Sequence, residues 1–235
     1  MIPISIFASV SHNLIMKILR RALTKSSAYF TGYLFFTILL SVFCFCVNKS
    51  DGFLLINHFH NGLLDNFFMM FTQLGNGLFA IGIMLFLLIR KKIGWTLQIG
   101  VSFLVSGLVV QLMKHFLPSP RPKMYFGSST IHCILGVTRT GYSSFPSGHT
   151  ATIFMLTTLL AIYFPGRKSG WFFLGIAVLT GFSRVYLSQH FPVDVLAGSL
   201  VGVLVSMVFY QLIPLKIFEK KFPKNEWEHQ SVKLR

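Results

Sequence analysis

Long apolar runs separated by short basic or Gly/Pro-containing stretches set the pattern of this chain. A bilayer core requires about 20 predominantly apolar residues per helix. Six segments meet or approach that length: 28–47, 66–89, 95–117, 147–164, 170–187 and 193–214. The second is interrupted by Gly75-Asn76-Gly77, and the fourth and fifth are short and end in polar residues. The pattern predicts an all-α, polytopic membrane protein forming one domain over residues 1–235.

Basic residues orient the spans, because positively charged loops stay cytoplasmic. Lys17, Arg20, Arg21 and Lys25 precede the first span, Arg90-Lys91-Lys92 follows the second and Arg167-Lys168 follows the fourth. Lys216, Lys220, Lys221, Lys224, Lys233 and Arg235 follow the sixth. In a six-span arrangement, 15 of the 21 basic residues therefore share one side, with both termini cytoplasmic. Five or seven spans would divide them. Residues 1–27 form a basic segment in which 12–23 reads as an amphipathic helix on the cytoplasmic membrane surface, or equally as an irregular basic tail. Residues 215–235 form a second basic tail. Met1 to Met16 lack a basic n-region and a small-residue cleavage site, so no signal peptide is expected.

Composition fits this reading. The chain is 53% hydrophobic and 11% charged, with 26 phenylalanines, whereas soluble domains carry about 25% charged residues. The net charge of +15 lies in short clusters between apolar runs and forms no stripe along a polar helix, which argues against nucleic-acid binding. Cys44 and Cys46 sit in an apolar run, and Cys133 stands by itself in a polar loop, so no disulfide framework or zinc site is expected. His58, His60 and His132 lack the spacing and the nearby acid that would complete a metal site.

Three polar clusters remain: Lys114-x6-Arg121-Pro122, Pro146-Ser147-Gly148-His149, and Ser183-Arg184-x5-His190-x3-Asp194. Polar residues at membrane depth are costly and mark function. In the six-span arrangement all three clusters lie at outer helix ends, on the non-cytoplasmic face. His190 and Asp194, four apart at a helix start, share a face. Asp194 can accept the Nδ1 proton of His190 and leave Nε2 as a nucleophile. Ser147 suits an N-cap, and Gly148 lets backbone approach a ligand. A helix N-terminus with free amides and a hydroxyl binds anions, and His149 beside it can protonate a leaving alkoxide. Lys114, Arg121 and Arg184 supply the cations that stabilise a phosphoryl transition state. The residues themselves leave open which histidine attacks.

The three clusters together resemble the signature of the type 2 phosphatidic acid phosphatase superfamily, which includes the soluble vanadium haloperoxidases. Every signature position is filled from Lys114 to Asp194. Weaker similarity extends to Ile56-Asn57, Leu64-Asp65 and Thr72-x-Leu74-Gly75. The resemblance implies that His190 attacks phosphorus to form a phosphohistidine, with Asp194 orienting it. It implies that His149 protonates the leaving oxygen and then activates water. Lys114, Arg121, Ser147, Gly148, Ser183 and Arg184 would hold the phosphate, and no metal or other cofactor would be needed. The expected substrate is an envelope lipid phosphate (undecaprenyl diphosphate, phosphatidylglycerophosphate or a lipid A phosphate), hydrolysed at the outer face of a bacterial inner membrane. The loop 118–145, carrying Lys123, Tyr125 and Arg139, is the expected substrate selector. Two rivals stand beside this reading: a vanadate-dependent haloperoxidase and a non-catalytic lipid-phosphate binding or transport protein.

Overall fold

The computed structural model describes residue 24 and residues 26–213; the predicted segment 12–23 and the tail 215–235 lie outside the described residues. Nine α-helices appear among them: α1 (Ser27–Cys46), α2 (Lys49–Asn57), α3 (Gly62–Phe71), α4 (Gly77–Ile89), α5 (Ile93–Phe116), α6 (Pro122–Phe126), α7 (Gly148–Tyr163), α8 (Arg167–Tyr186) and α9 (Pro192–Leu212). A 3₁₀ turn, Thr72–Gly75, joins α3 to α4. No β-strand occurs among the described residues, which contain one isolated bridge between Ser119 and Ser143.

Helix starts follow local chemistry. Asn61 Oδ1 accepts from the Leu64 amide at 2.9 Å to cap α3, and Asn76 Oδ1 accepts from Leu78 N at 3.1 Å to cap α4. Pro122 and Pro192 occupy first-turn positions, where the missing N–H is no loss. α1, α5 and α9 are long and apolar enough to cross a membrane. The run predicted over 66–89 resolves into two helices bent by 54° at the Asn76 break, and the pair makes a fourth candidate span. α7, with 16 residues, is shorter than a span, and α8 carries Arg167, Lys168 and Arg184. Length and composition thus support three or four of the six predicted spans.

α7 is the centre of the bundle, with 12 of its 16 residues buried between α5, α8 and α9. Contacts close enough for this come from two glycines of α9. A Cβ on Gly198 would lie 2.5 Å from Ser147 O, and one on Gly202 would fall against Ala151 O. This is the close packing that small residues four apart permit. Tyr29 of α1 places its hydroxyl 3.0 Å from both Thr157 Oγ1 and Thr158 Oγ1. Tyr163 donates to Gln98 Oε1 at 2.6 Å, joining α7 to α5. Most of α1 beyond Tyr33 is exposed, with Leu34, Phe35, Ile38 and Leu39 all more than half so, as expected of a surface that faces lipid.

Candidate active site

The site begins where α8 ends. Gln189 N and His190 N both donate to Arg184 O, at 3.0 and 3.1 Å, while Ser188 adopts φ +56°. The chain reverses there, and Pro192 starts α9 immediately. The turn buries His190 to 2% exposure and points its Nδ1 at Asp194 Oδ2, 3.5 Å away. That carboxylate is held from two other sides. Ser144 donates its hydroxyl to Oδ2 at 2.6 Å, and the Phe191 amide donates to the same oxygen at 2.9 Å. Ser147 N donates to Asp194 O at 3.0 Å, so the turn that starts α7 and the turn that starts α9 are stitched together.

Ser147 caps α7, accepting from Thr150 N at 3.3 Å and from Thr150 Oγ1 at 2.8 Å. His149 follows in the first turn, half-buried. Gly75 of the 3₁₀ turn presses on it, since a Cβ there would lie 2.9 Å from His149 O. A Cβ on Gly148 would come no nearer than 3.7 Å to Val110, so this glycine leaves space beside the histidine. Ser183 is fully buried, and its hydroxyl donates to Thr180 O within α8 at 2.6 Å.

The cations arrive from three segments. Lys114 Nζ, near the end of α5, donates to Ser143 O at 3.0 Å. Arg121 donates to the same carbonyl at 3.3 Å and to Gln189 O and Oε1 at 3.1 Å each. Arg184 donates through Nη1 to Thr72 Oγ1. Its Nε is buried with no acceptor. Arg121 and Arg184 are 7% and 6% exposed. Lys114 and Arg121 meet on the Ser143 carbonyl, Arg121 bonds Gln189 next to His190, and Ser147 N bonds Asp194 O, so the three clusters lie at one end of the bundle. Burial pushes the His190 imidazole down to about 4, against the opposing pull of Asp194. Burial, with Arg139 adding its charge, holds Arg121 below the usual guanidinium range.

Ser144, Gln189, Thr72 and the Ser143 carbonyl were not singled out from sequence. Only Thr72 carried a signal, in the weak Thr72-x-Leu74-Gly75 similarity. One expectation is corrected. An acid does stand beside His132: its Nε2 lies 3.0 Å from Asp65 Oδ2, and its ring stacks on His60 with centroids 4.1 Å apart. This cluster fastens the 118–145 loop. Asn57 Oδ1 accepts from His132 N at 2.9 Å, Asn57 Nδ2 donates to Ser188 Oγ at 2.9 Å, and Ser188 Oγ donates to His132 O at 2.7 Å. Tyr186 OH donates to Asp65 Oδ1 at 2.9 Å, and Gln189 Nε2 donates to Val137 O.

Comparison with known proteins matches residues 95–218, just over half of the chain, to the model of the PAP2 superfamily. The undecaprenyl-diphosphatase BcrC of Bacillus subtilis is 29% identical over 66% of this chain and 78% of its own length. The undecaprenyl-diphosphatase of Sulfolobus acidocaldarius is 32% identical over 68% of this chain and 76% of its own. Among solved structures, the transmembrane PAP2-type phosphatidylglycerolphosphate phosphatase of Bacillus subtilis superposes with a TM-score of 0.56 at 24% identity, covering 83% of this chain and 98% of that one.

Proposed function

This chain belongs to the PAP2 superfamily and is a membrane-bound lipid phosphate phosphatase; from that premise we propose that it hydrolyses a polyprenyl diphosphate through a phosphohistidine, on the outer face of the membrane. One observation carries the mechanism. A buried histidine, His190, has Nδ1 turned to the Asp194 carboxylate, with Arg121 and Arg184 near it and Lys114 and His149 at the same end of the bundle.

With Nδ1 facing Asp194, the free electron pair of a neutral His190 lies on Nε2. Nε2 attacks phosphorus, and the bond to the leaving oxygen breaks as His149 gives that oxygen a proton. His149, now neutral, takes a proton from water. The hydroxide so formed attacks the phosphohistidine, returns Nε2 and releases phosphate. Arg184 Nε, a buried donor with no protein acceptor, suits an equatorial phosphoryl oxygen, and Lys114 and Arg121 add positive charge on the same side. Gly148 leaves room for the phosphate next to the amides that open α7. Ser183 donates its hydroxyl to Thr180 O and shapes the pocket, whereas Ser147 Oγ only accepts, from Thr150 N and Thr150 Oγ1, and keeps its proton for a phosphate oxygen. The undecaprenyl-diphosphatase relatives favour a diphosphate on a polyprenol over the other envelope lipids. Six spans with both termini cytoplasmic place the site outward and explain the distribution of basic residues.

The test is a panel of undecaprenyl diphosphate, phosphatidylglycerophosphate and lipid A phosphates given to the purified protein, with released phosphate measured for each. Undecaprenyl diphosphate should be turned over fastest, with vanadate inhibiting and chelators without effect. His190→Ala should insert normally and release almost no phosphate; turnover like that of the unaltered chain in that variant would sink the phosphohistidine route.

A further inference from the structure

Arg184 is buried to 6% exposure near the end of α8, and no carboxylate pairs with it among the described residues. Its protein acceptor there is the Thr72 hydroxyl, which takes a hydrogen bond from Nη1, while Nε has no partner. A buried guanidinium without a counter-ion is costly. An arriving anion offsets that cost, so the charge is kept for a ligand. Until then the plane of the group is held by a neutral oxygen.

The neutrality of that oxygen has a consequence for binding. A carboxylate in its place would fix the guanidinium as firmly, but it would also cancel the charge and repel a phosphate. A hydroxyl oxygen fixes direction and leaves the charge intact. It also occupies one position of a five-donor fork and leaves the rest for a planar or bidentate partner.

Placing this hydroxyl requires a break in an apolar run. α3 and α4 together have the length and composition of one span, yet they are bent by 54° where the 3₁₀ turn Thr72–Gly75 gives way to Asn76. Non-helical backbone inside a span is tolerated only where protein buries it. Thr72 is 4% exposed, and Gly75 is buried as well. The turn is wedged between the helices that carry the two halves of the site. A Cβ on Gly75 would lie 2.9 Å from His149 O at the start of α7 and 3.0 Å from Thr180 Cγ2 of α8. A larger residue at 75 would displace the turn that carries Thr72.

We propose that Thr72 is a positioning residue for phosphoryl transfer: its hydroxyl holds Arg184 with Nε free for a phosphoryl oxygen and leaves the guanidinium charge uncompensated until substrate binds. The inference rests on the phosphatase reading of the histidine site.

Vanadate is the probe, because it imitates phosphate and needs neither lipid nor turnover. Its affinity for the purified full chain in detergent can be measured by calorimetry beside phosphate release. Thr72→Val keeps the shape of the side chain and removes the acceptor. It should bind vanadate about tenfold more weakly, with kcat lowered by a similar factor. Thr72→Ala carries the same expectation should the valine chain fail to insert. Thr72→Ser keeps the hydroxyl and should restore both quantities. A residue that merely packs would give the opposite order, since Val fills the space of Thr and Ser does not. That opposite order, or equal affinity in all four chains, overturns the proposal and leaves the phosphatase reading standing. An unaltered chain that binds no vanadate would overturn both.

Discussion

Two hydrogen bonds hold one oxygen of Asp194, and His190 Nδ1 stands beside it without a hydrogen-bond partner. Ser144 Oγ at 2.6 Å and the Phe191 amide at 2.9 Å are close, and His190 Nδ1 at 3.5 Å is the most distant. Hydrogen bonds to a charged group contribute about 1.5–3 kcal/mol each, so Ser144 decides how much of the carboxylate His190 receives. Ser144→Ala should let Asp194 close on Nδ1 and favour the imidazolium. The expected result is a kcat lowered on the order of tenfold, an acid limb moved to higher pH, and an unchanged KM, with Ser144→Thr restoring the profile. A profile that does not move would make Ser144 structural. In the unaltered enzyme, His190 is held down to about 4 by burial, so the proposed nucleophile is neutral at pH 7 and the acid limb of activity should appear as the pH drops toward 4. Linkage carries the same sign. An unfolded histidine titrates near 6.5, so the unfolded chain gains its proton first. The stability that depends on neutral His190 is then present above about pH 6.5 and lost as pH falls to 4. Urea or thermal unfolding across that window checks it.

At the scale of elements, the α7–α9 seam sets the position of the chemistry. A Cβ on Gly198 would collide with Ser147 O, a backbone atom that no rotamer change can move aside. Gly198→Ala should therefore destabilise the protein by about 1–3 kcal/mol, the usual cost of overpacking. It should also depress activity more than Gly82→Ala, where the added carbon meets nothing within 4 Å. Thermal unfolding in detergent and phosphate release give the two readouts. Gly198 and Gly202 stand four apart in an apolar run, a spacing that suits close helix packing, so this seam was legible in the sequence. So were the helices themselves, whose apolar runs matched the observed ends of α1, α5 and α9 to within two residues. The three cation and histidine clusters were legible because charge stands out against lipid-compatible sequence. α2 was not, since Lys49–Asn57 mixes polar and apolar residues without a strong period. Ser144 and Gln189 were hidden for another reason. Their partners lie 50 to 68 residues away, and a short polar side chain in a polar loop carries no local mark of such a bond.

For the whole molecule, the six-span arrangement predicts which surfaces a membrane-impermeant reagent can reach. With Cys44, Cys46 and Cys133 replaced by serine, Gly136→Cys in the 118–145 loop should be labelled by an impermeant maleimide on intact cells. Lys91→Cys, between α4 and α5, should be labelled only after permeabilisation. The reverse pattern would turn the protein over in the membrane and end the proposal of an outward-facing site. The same loop is the proposed selector of substrate, and exchanging it with that of a relative is the direct trial. His132 bears on how that trial is built. Asn57 and Asp65 grip it from α2 and α3, and Ser188 grips it from the turn before the nucleophile. The portable unit for transplantation is therefore three discontinuous pieces of chain, and a graft that moves the loop without its two distant anchors would report a lost fastening as a lost specificity.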